Sequence, residues 1–384
     1  MNRAGLIAAA VCVLASATLD AASPDKNARA LLAEGIRAYE GARFEEGGQL
    51  LTKAIALNPG WKTAAGFRSM CLWTVGDLEA ARSDAKTAMR MKPNSAASFT
   101  ARGLARFVAR DMDGAARDFV RAAKLNPGYS LAYFGMGSVR ATEKKTEEAA
   151  TNLDLAIQYA PKSAVAYLVR ATVRDKQKRY KDSVEDYSSV IKLSPGFFPA
   201  HFYRGRSYRE MKKYRESIVD FSDFLKHHPD HVEALYLRSN SYFLLSEYEL
   251  AVRDLNGVIR QKPDHGLAYA NRGVARFELG NKDGAISDLR EAKRLSPGKA
   301  DKIQGEIDRI SAAEPGGETK MAELPPDKTE SKDEDIAQRA AVEADSSGRV
   351  PLAPLPSEEE LEPPPAQLDG GDVGKYSDEV SFIR

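Results

Sequence analysis

The chain has 384 residues, with 56 Lys plus Arg, 55 Asp plus Glu and two cysteines. Two cysteines exclude both a disulfide framework and a thiolate zinc cluster, and the formal net charge is +1. The near-neutral total hides an asymmetry. Residues 28–310 carry 47 basic against 35 acidic side chains, and residues 311–384 carry 18 acidic against 7 basic.

The first 22 residues read as an export signal. Arg3 precedes an uncharged apolar run from Ala4 to Leu19, and Ala15-Ser16-Ala17 offers small residues for cleavage, with Asp20-Ala21-Ala22 as a second choice. The run is short for a membrane span, which needs about 20 residues. Membrane contact is therefore expected only if this segment is retained as an anchor. With Cys12 removed, Cys71 would be the one cysteine left, and packing alone would hold the exported protein together. No Asn-x-Ser/Thr acceptor occurs, which favours a bacterial periplasm or cell envelope as the destination.

From residue 28 the chain repeats. Pro59, Pro93, Pro127, Pro161, Pro195, Pro229, Pro263 and Pro297 lie 34 residues apart, a period that marks a solenoid. Eight units follow: 28–61, 62–95, 96–129, 130–163, 164–197, 198–231, 232–265 and 266–299. Numbering each unit 1 to 34, apolar or small residues fall at 4, 8 and 11, then at 20, 24 and 27. Each set forms one face of a helix. The chain turns near position 15, and the proline at 32 ends the second helix. Each unit is thus an antiparallel hairpin of helices A and B. Facing positions sum to about 31, so position 8 should meet 24. Nothing larger than Ala or Ser stands at position 8 (Gly35, Ser69, Gly103, Gly137, Ala171, Gly205, Ser239, Gly273), which lets the two helices close.

Six units pair Arg at position 7 with Asp at position 23: Arg68/Asp84, Arg102/Asp118, Arg170/Asp186, Arg204/Asp220, Arg238/Asp254 and Arg272/Asp288. The other two units lack both residues. Presence and absence together predict an ion pair clamping each hairpin.

Small residues at 8, Ala at 20 and often 27, and Pro at 32 resemble the tetratricopeptide repeat, over all of residues 28–299. Leu31, Ala65 and His201 depart from the aromatic usual at position 4. The resemblance implies an all-α solenoid, a right-handed superhelix of antiparallel helix pairs whose A helices line a concave, peptide-binding groove. Positions 2, 5, 9 and 12 would face it. The expected groove residues are Tyr39, Met70, Trp73, Leu104, Phe107 and Phe134 early, Arg206, Arg209, Asn240 and Asn271 later, with Phe243 and Phe277. Tyr39, Trp73 and Phe107 would form an aromatic row for anchoring a partner, and Arg206 and Arg209 would favour an acidic stretch. The family's carboxylate clamp is poorly matched, with Tyr236, Asp301 and Gly305 where basic residues belong.

Ala300–Ala312 continues the helical period at Ile303, Ile307 and Ile310 and reads as a capping helix. Residues 313–384 hold nine prolines and acidic runs such as Glu358-Glu359-Glu360, the composition of a disordered tail. No phosphate loop, nucleophile elbow or cysteine pair is present, and the His227-His228-Pro229-Asp230-His231 cluster straddles an inter-repeat turn. The expectation is a non-enzymatic exported scaffold without cofactor or metal, its partner a protein or peptide segment and not nucleic acid. The alternatives are an oligomerising envelope-assembly component and a glycan or ligand carrier using the groove aromatics.

Overall fold

The structure, a computed structural model, describes residues 26–312. The expected signal segment and acidic tail lie outside the described residues. The A helices are α1 (Lys26–Glu40), α3 (Lys62–Val75), α5 (Ala96–Val108), α7 (Ser130–Thr142), α9 (Ala164–Lys176), α11 (Pro199–Glu210), α13 (Val232–Leu244) and α15 (Gly266–Glu278). The B helices are α2 (Phe44–Leu57), α4 (Leu78–Met89), α6 (Met112–Leu125), α8 (Thr146–Tyr159), α10 (Tyr180–Leu193), α12 (Tyr214–His227), α14 (Tyr248–Gln261) and α16 (Lys282–Leu295). A short 3-10 turn, Pro297–Lys299, leads into α17 (Ala300–Ala312), whose Ile303, Ile307 and Ile310 are buried together with Leu289 and Ala292 of α16. The described residues form two compact units, residues 26–177 with 192–196 and residues 178–191 with 197–312.

Position 8 meets position 24 as the hairpin geometry requires. A Cβ placed on Gly103 would stand 2.7 Å from the Phe119 ring, and one on Gly137 equally close to Leu153. Larger side chains there would force the hairpin apart. The A-to-B turn has one recurrent conformation. Position 15 is left-handed in all eight repeats, from Ala42 at φ 55° to Gly76 at φ 91°, although only Gly76 and Gly280 are glycines. The next amide then reaches back five residues, as in Asp77 to the Leu72 carbonyl at 3.0 Å and Asn281 to that of Arg276 at 2.8 Å, closing a Schellman-type end.

Within the first unit α3 packs along α5, α5 meets α7, and α1 touches both α3 and α9. In the second, α13 touches both α11 and α15. Successive B helices do not approach one another to this extent among the described residues. The A helices therefore line the inside of the curve in each unit.

Five of the six expected ion pairs form within a unit, each with two bonds: Arg68 to Asp84 at 2.6 and 2.8 Å, Arg102 to Asp118 at 2.8 and 2.6 Å, Arg204 to Asp220 at 2.8 and 2.7 Å, Arg238 to Asp254 at 2.8 Å twice, and Arg272 to Asp288 at 2.8 and 2.7 Å. Arg170 and Asp186, the sixth expected pair, fall in different units. Bonding to Asp84 raises the pKa of Arg68. At Arg204 burial opposes the charge, and the bonds to Asp220 outweigh it to give a net rise.

Each arginine also does something the pairing alone does not announce. Its remaining Nη1 donates to position 25 of the preceding repeat: Arg68 to Thr52 at 3.1 Å, Arg170 to Asp154 at 2.6 Å, Arg204 to Ser188 at 2.9 Å, Arg238 to Ser222 at 2.9 Å and Arg272 to Asn256 at 2.7 Å. One side chain thus joins three helices and stitches neighbouring repeats. Arg102 differs, because position 25 before it is Lys86, a donor with no lone pair to offer. Its Nη1 turns instead to the Met91 carbonyl at 3.2 Å.

Candidate protein-binding face

The expected groove divides into a closed part and an open part. In the first unit Tyr39, Met70, Leu104, Phe107 and Phe134 are all buried, with Tyr39 only 1% exposed. Tyr39 packs edge-on to Phe134 at 6.1 Å and tilted against Phe44 at 5.8 Å. Beside it the Ser130 hydroxyl donates to Glu40 Oε1 at 3.2 Å, across ninety residues of chain. Burial pushes the Glu40 carboxyl above the usual range, and the Ser130 bond and Arg37 only partly offset this. Burial likewise pushes the Tyr39 hydroxyl well up, and the Cys71 thiol up to about 12.

Of the aromatic row, only Trp73 stays half-buried, standing edge-on to Phe107 at 6.2 Å. The residues expected to anchor a partner here anchor the unit itself. The physical reason is the close approach of the A helices. Gly66 lies directly on the backbone of Ala101, so α3 and α5 nearly touch, and the curl carries α1 onto α9. An apolar stripe on the inside of so tight a curve becomes core. Gly66, a glycine outside the repeat's own small positions, was the signal in the sequence. The closure also removes the row of stacking platforms that a glycan carrier would need.

In the second unit the same stripe stays accessible. Arg206 is exposed, its guanidinium 5.9 Å from the Phe202 ring centroid and 4.0 Å from Glu233. Arg209 is half-buried, and its Nε has no hydrogen-bond partner. Burial lowers the pKa of Arg209, with nearby Arg206 acting in the same direction, so a carboxylate placed beside it would be well compensated. Asn271 Nδ2 donates to Asn240 Oδ1 at 2.8 Å and lies 3.3 Å from the Tyr236 hydroxyl, a polar ladder across α13 and α15. Two amide groups held this way keep further donors and acceptors free for a peptide backbone.

At the far end the faces are apolar. Phe243 meets Tyr248 edge-on at 5.4 Å, and Arg309 of α17 lies over the Phe277 ring at 5.1 Å. The structure therefore brings Arg206, Arg209, Asn240, Asn271, Phe243 and Phe277 into one unit. It adds Tyr203, stacked on Tyr187 at 5.9 Å, which the sequence did not single out as groove, and Tyr236, which the sequence marked only as a mismatch to the carboxylate clamp.

The histidines serve packing and capping. His227 stacks on Phe198 and His228 packs against Phe224. His231 Nδ1 accepts from the Ala234 amide at 3.2 Å and His265 Nδ1 from Ala268 at 3.1 Å, each capping an A helix. His201, Asp220 and Asp223 bring donor atoms within 4.8 Å of one another, but both oxygens of Asp220 already bond Arg204, whose cation opposes a metal ion there. No helix among the described residues is long and apolar enough to cross a membrane.

A family model described as tetratricopeptide repeat matches residues 68–130, 100–164, 202–257 and 245–300, together just over half of the chain. No curated protein matches. Among solved structures, the chain resembles the Cut9–Hcn1 hetero-tetramer of APC/C at a TM-score of 0.55 and 16% identity, over 73% of this chain and 55% of that one. It is also similar to YrrB, a TPR protein with an unusual peptide-binding site (0.47, 16%, 50% of this chain and 99% of that one), and to pilF of Pseudomonas aeruginosa (0.47, 17%, 59% and 99%). At these identities the likeness is one of fold.

Proposed function

Because this chain belongs to the tetratricopeptide repeat family, we infer that it is a non-enzymatic scaffold that holds a protein segment on the concave face of its second unit. The Asn271–Asn240–Tyr236 ladder beside the unpartnered Nε of Arg209 carries this reading. The amides can bond an extended backbone, and Arg206 and Arg209 favour an acidic side chain or chain terminus. Rigid stacked helices preorganise the surface, so the partner bears most of the ordering cost. The charged start, apolar run and small residues of the first 22 positions support export to a cell envelope.

A photo-crosslinking residue at Asn240 in intact cells tests the reading, with the same residue at Glu249 as control. The expected result is a discrete protein adduct from position 240 alone. Equal yields from both positions, or none, would contradict it. N-terminal sequencing of the purified chain reports whether cleavage follows Ala17 or Ala22.

A further inference from the structure

We propose that the segment Glu358-Glu359-Glu360-Leu361-Glu362 of this chain docks in cis on a basic pocket formed by α4 and the residue that ends α5. The pocket has a volume of about 390 Å³ and is lined by Arg82, Ala85, Lys86, Met89, Arg90 and Ala109. Arg82, Lys86 and Arg90 are spaced four apart, so they form one stripe along α4 above an apolar floor of Ala85, Met89 and Ala109. Lys86 and Arg90 are exposed and have no ion-pair partner among the described residues. Arg82 meets only Glu79, at 3.1 Å, and both side chains are largely exposed.

Lys86 occupies the position at which other repeats place an acceptor for the stitching arginine, so Arg102 turns to the Met91 carbonyl and this position presents a cation outward. Residues 62–129 hold 12 basic and 6 acidic side chains, half of the excess of +12 carried by residues 28–310. Charge alone would attract any polyanion, whereas the apolar floor asks for an apolar side chain flanked by carboxylates.

The sequence beyond Ala312 supplies that chemistry. Residues 313–384 contain 18 acidic and 7 basic side chains, and Glu358–Glu362 sets four carboxylates around Leu361, bounded by Pro356 and by Pro363-Pro364-Pro365. Leu361 covers the floor while the glutamates meet the three cations. An extended chain advances about 3.3 Å per residue, so the stretch between Ala312 and Glu358 does not limit its reach. This site differs from the concave face of the second unit, and either can fail without the other.

Zero-length carbodiimide coupling of the full chain, read by peptide mass spectrometry, tests the proposal. The expected dominant product joins Lys86 to one of Glu358, Glu359, Glu360 or Glu362 within a single chain. It should be lost in the Arg82→Glu/Arg90→Glu chain, weakened in Leu361→Ala, kept in Arg206→Glu, and suppressed near 1 M salt, where the screening length is about 3 Å. Unchanged melting of the charge-reversed chain separates loss of docking from loss of fold. Products spread evenly over the lysines, concentrated on Lys212 and Lys213, or formed only between isotopically distinct copies would overturn the proposal.

Discussion

Asp254 is 3% exposed and would be costly to bury alone, yet Arg238 holds it with two bonds of 2.8 Å. Such a pair contributes little net stability over an apolar replacement, but removing one partner leaves the other charge poorly solvated. Asp254→Ala should therefore destabilise by about 2–3 kcal/mol, less than for a fully buried pair because Arg238 keeps Ser222 and the Tyr242 ring. Glu249→Ala, at an exposed position, should fall within about 0.5 kcal/mol of the parent chain. Thermal melting of both variants decides, and equal midpoints would remove the clamp from the account. The pairs were legible because Arg and Asp come and go together across aligned repeats. The third bond, to position 25 of the previous repeat, was hidden because Thr52, Asp154, Ser188, Ser222 and Asn256 span four side-chain types and have in common only the ability to accept.

Helix boundaries were legible at one end and obscure at the other. The proline at 32 announces where each B helix stops, since it removes a donor and restricts its predecessor. The left-handed residue at 15 announces little, because Ala42, Arg110, Lys144, Lys178, Lys212 and Ser246 adopt it without the glycine that would mark it.

At the start of α13 the cap is the His231 imidazole, and this makes the second unit sensitive to acid. Capping requires a lone pair on Nδ1, which protonation removes, and the resulting cation then sits at the positive end of the helix. Burial pulls the pKa of His231 below the ordinary value, with His228 acting in the same direction. In the folded state His231 therefore binds fewer protons than in the unfolded chain, and its contribution is complete above about pH 6.5 and lost as pH falls below that toward its lower folded pKa. His231→Asn keeps a cap, worth about 1 kcal/mol, without a titrating group. Urea melts from pH 8 to 5 should show a shallower acid-side loss in this variant. An unchanged slope would mean that the cap does not couple to pH.

At the scale of the whole molecule, periodicity revealed the helices, their pairing and the repeat, because those depend on spacing along one chain. It did not reveal which stretch of the inner stripe stays open, because that depends on how far each A helix rides over the next. Gly66 lets α3 lie directly on α5 in the first unit, Tyr39 reaches Phe134, and residues with the chemistry of a groove become core. In the second unit Tyr236 and the Asn240–Asn271 bond stand between the A helices α13 and α15, and the stripe stays accessible.

Native-state alkylation tests this division directly, using chains that carry Met70→Cys or Asn240→Cys, with the buried Cys71, its thiol raised to about 12, as the internal reference. Circular dichroism first establishes that both chains are folded. The account predicts rapid modification at position 240 and modification at position 70 as slow as at Cys71. A thiol at position 70 that reacts as fast as the one at 240 would show the first unit's inner face to be open, and would contradict it.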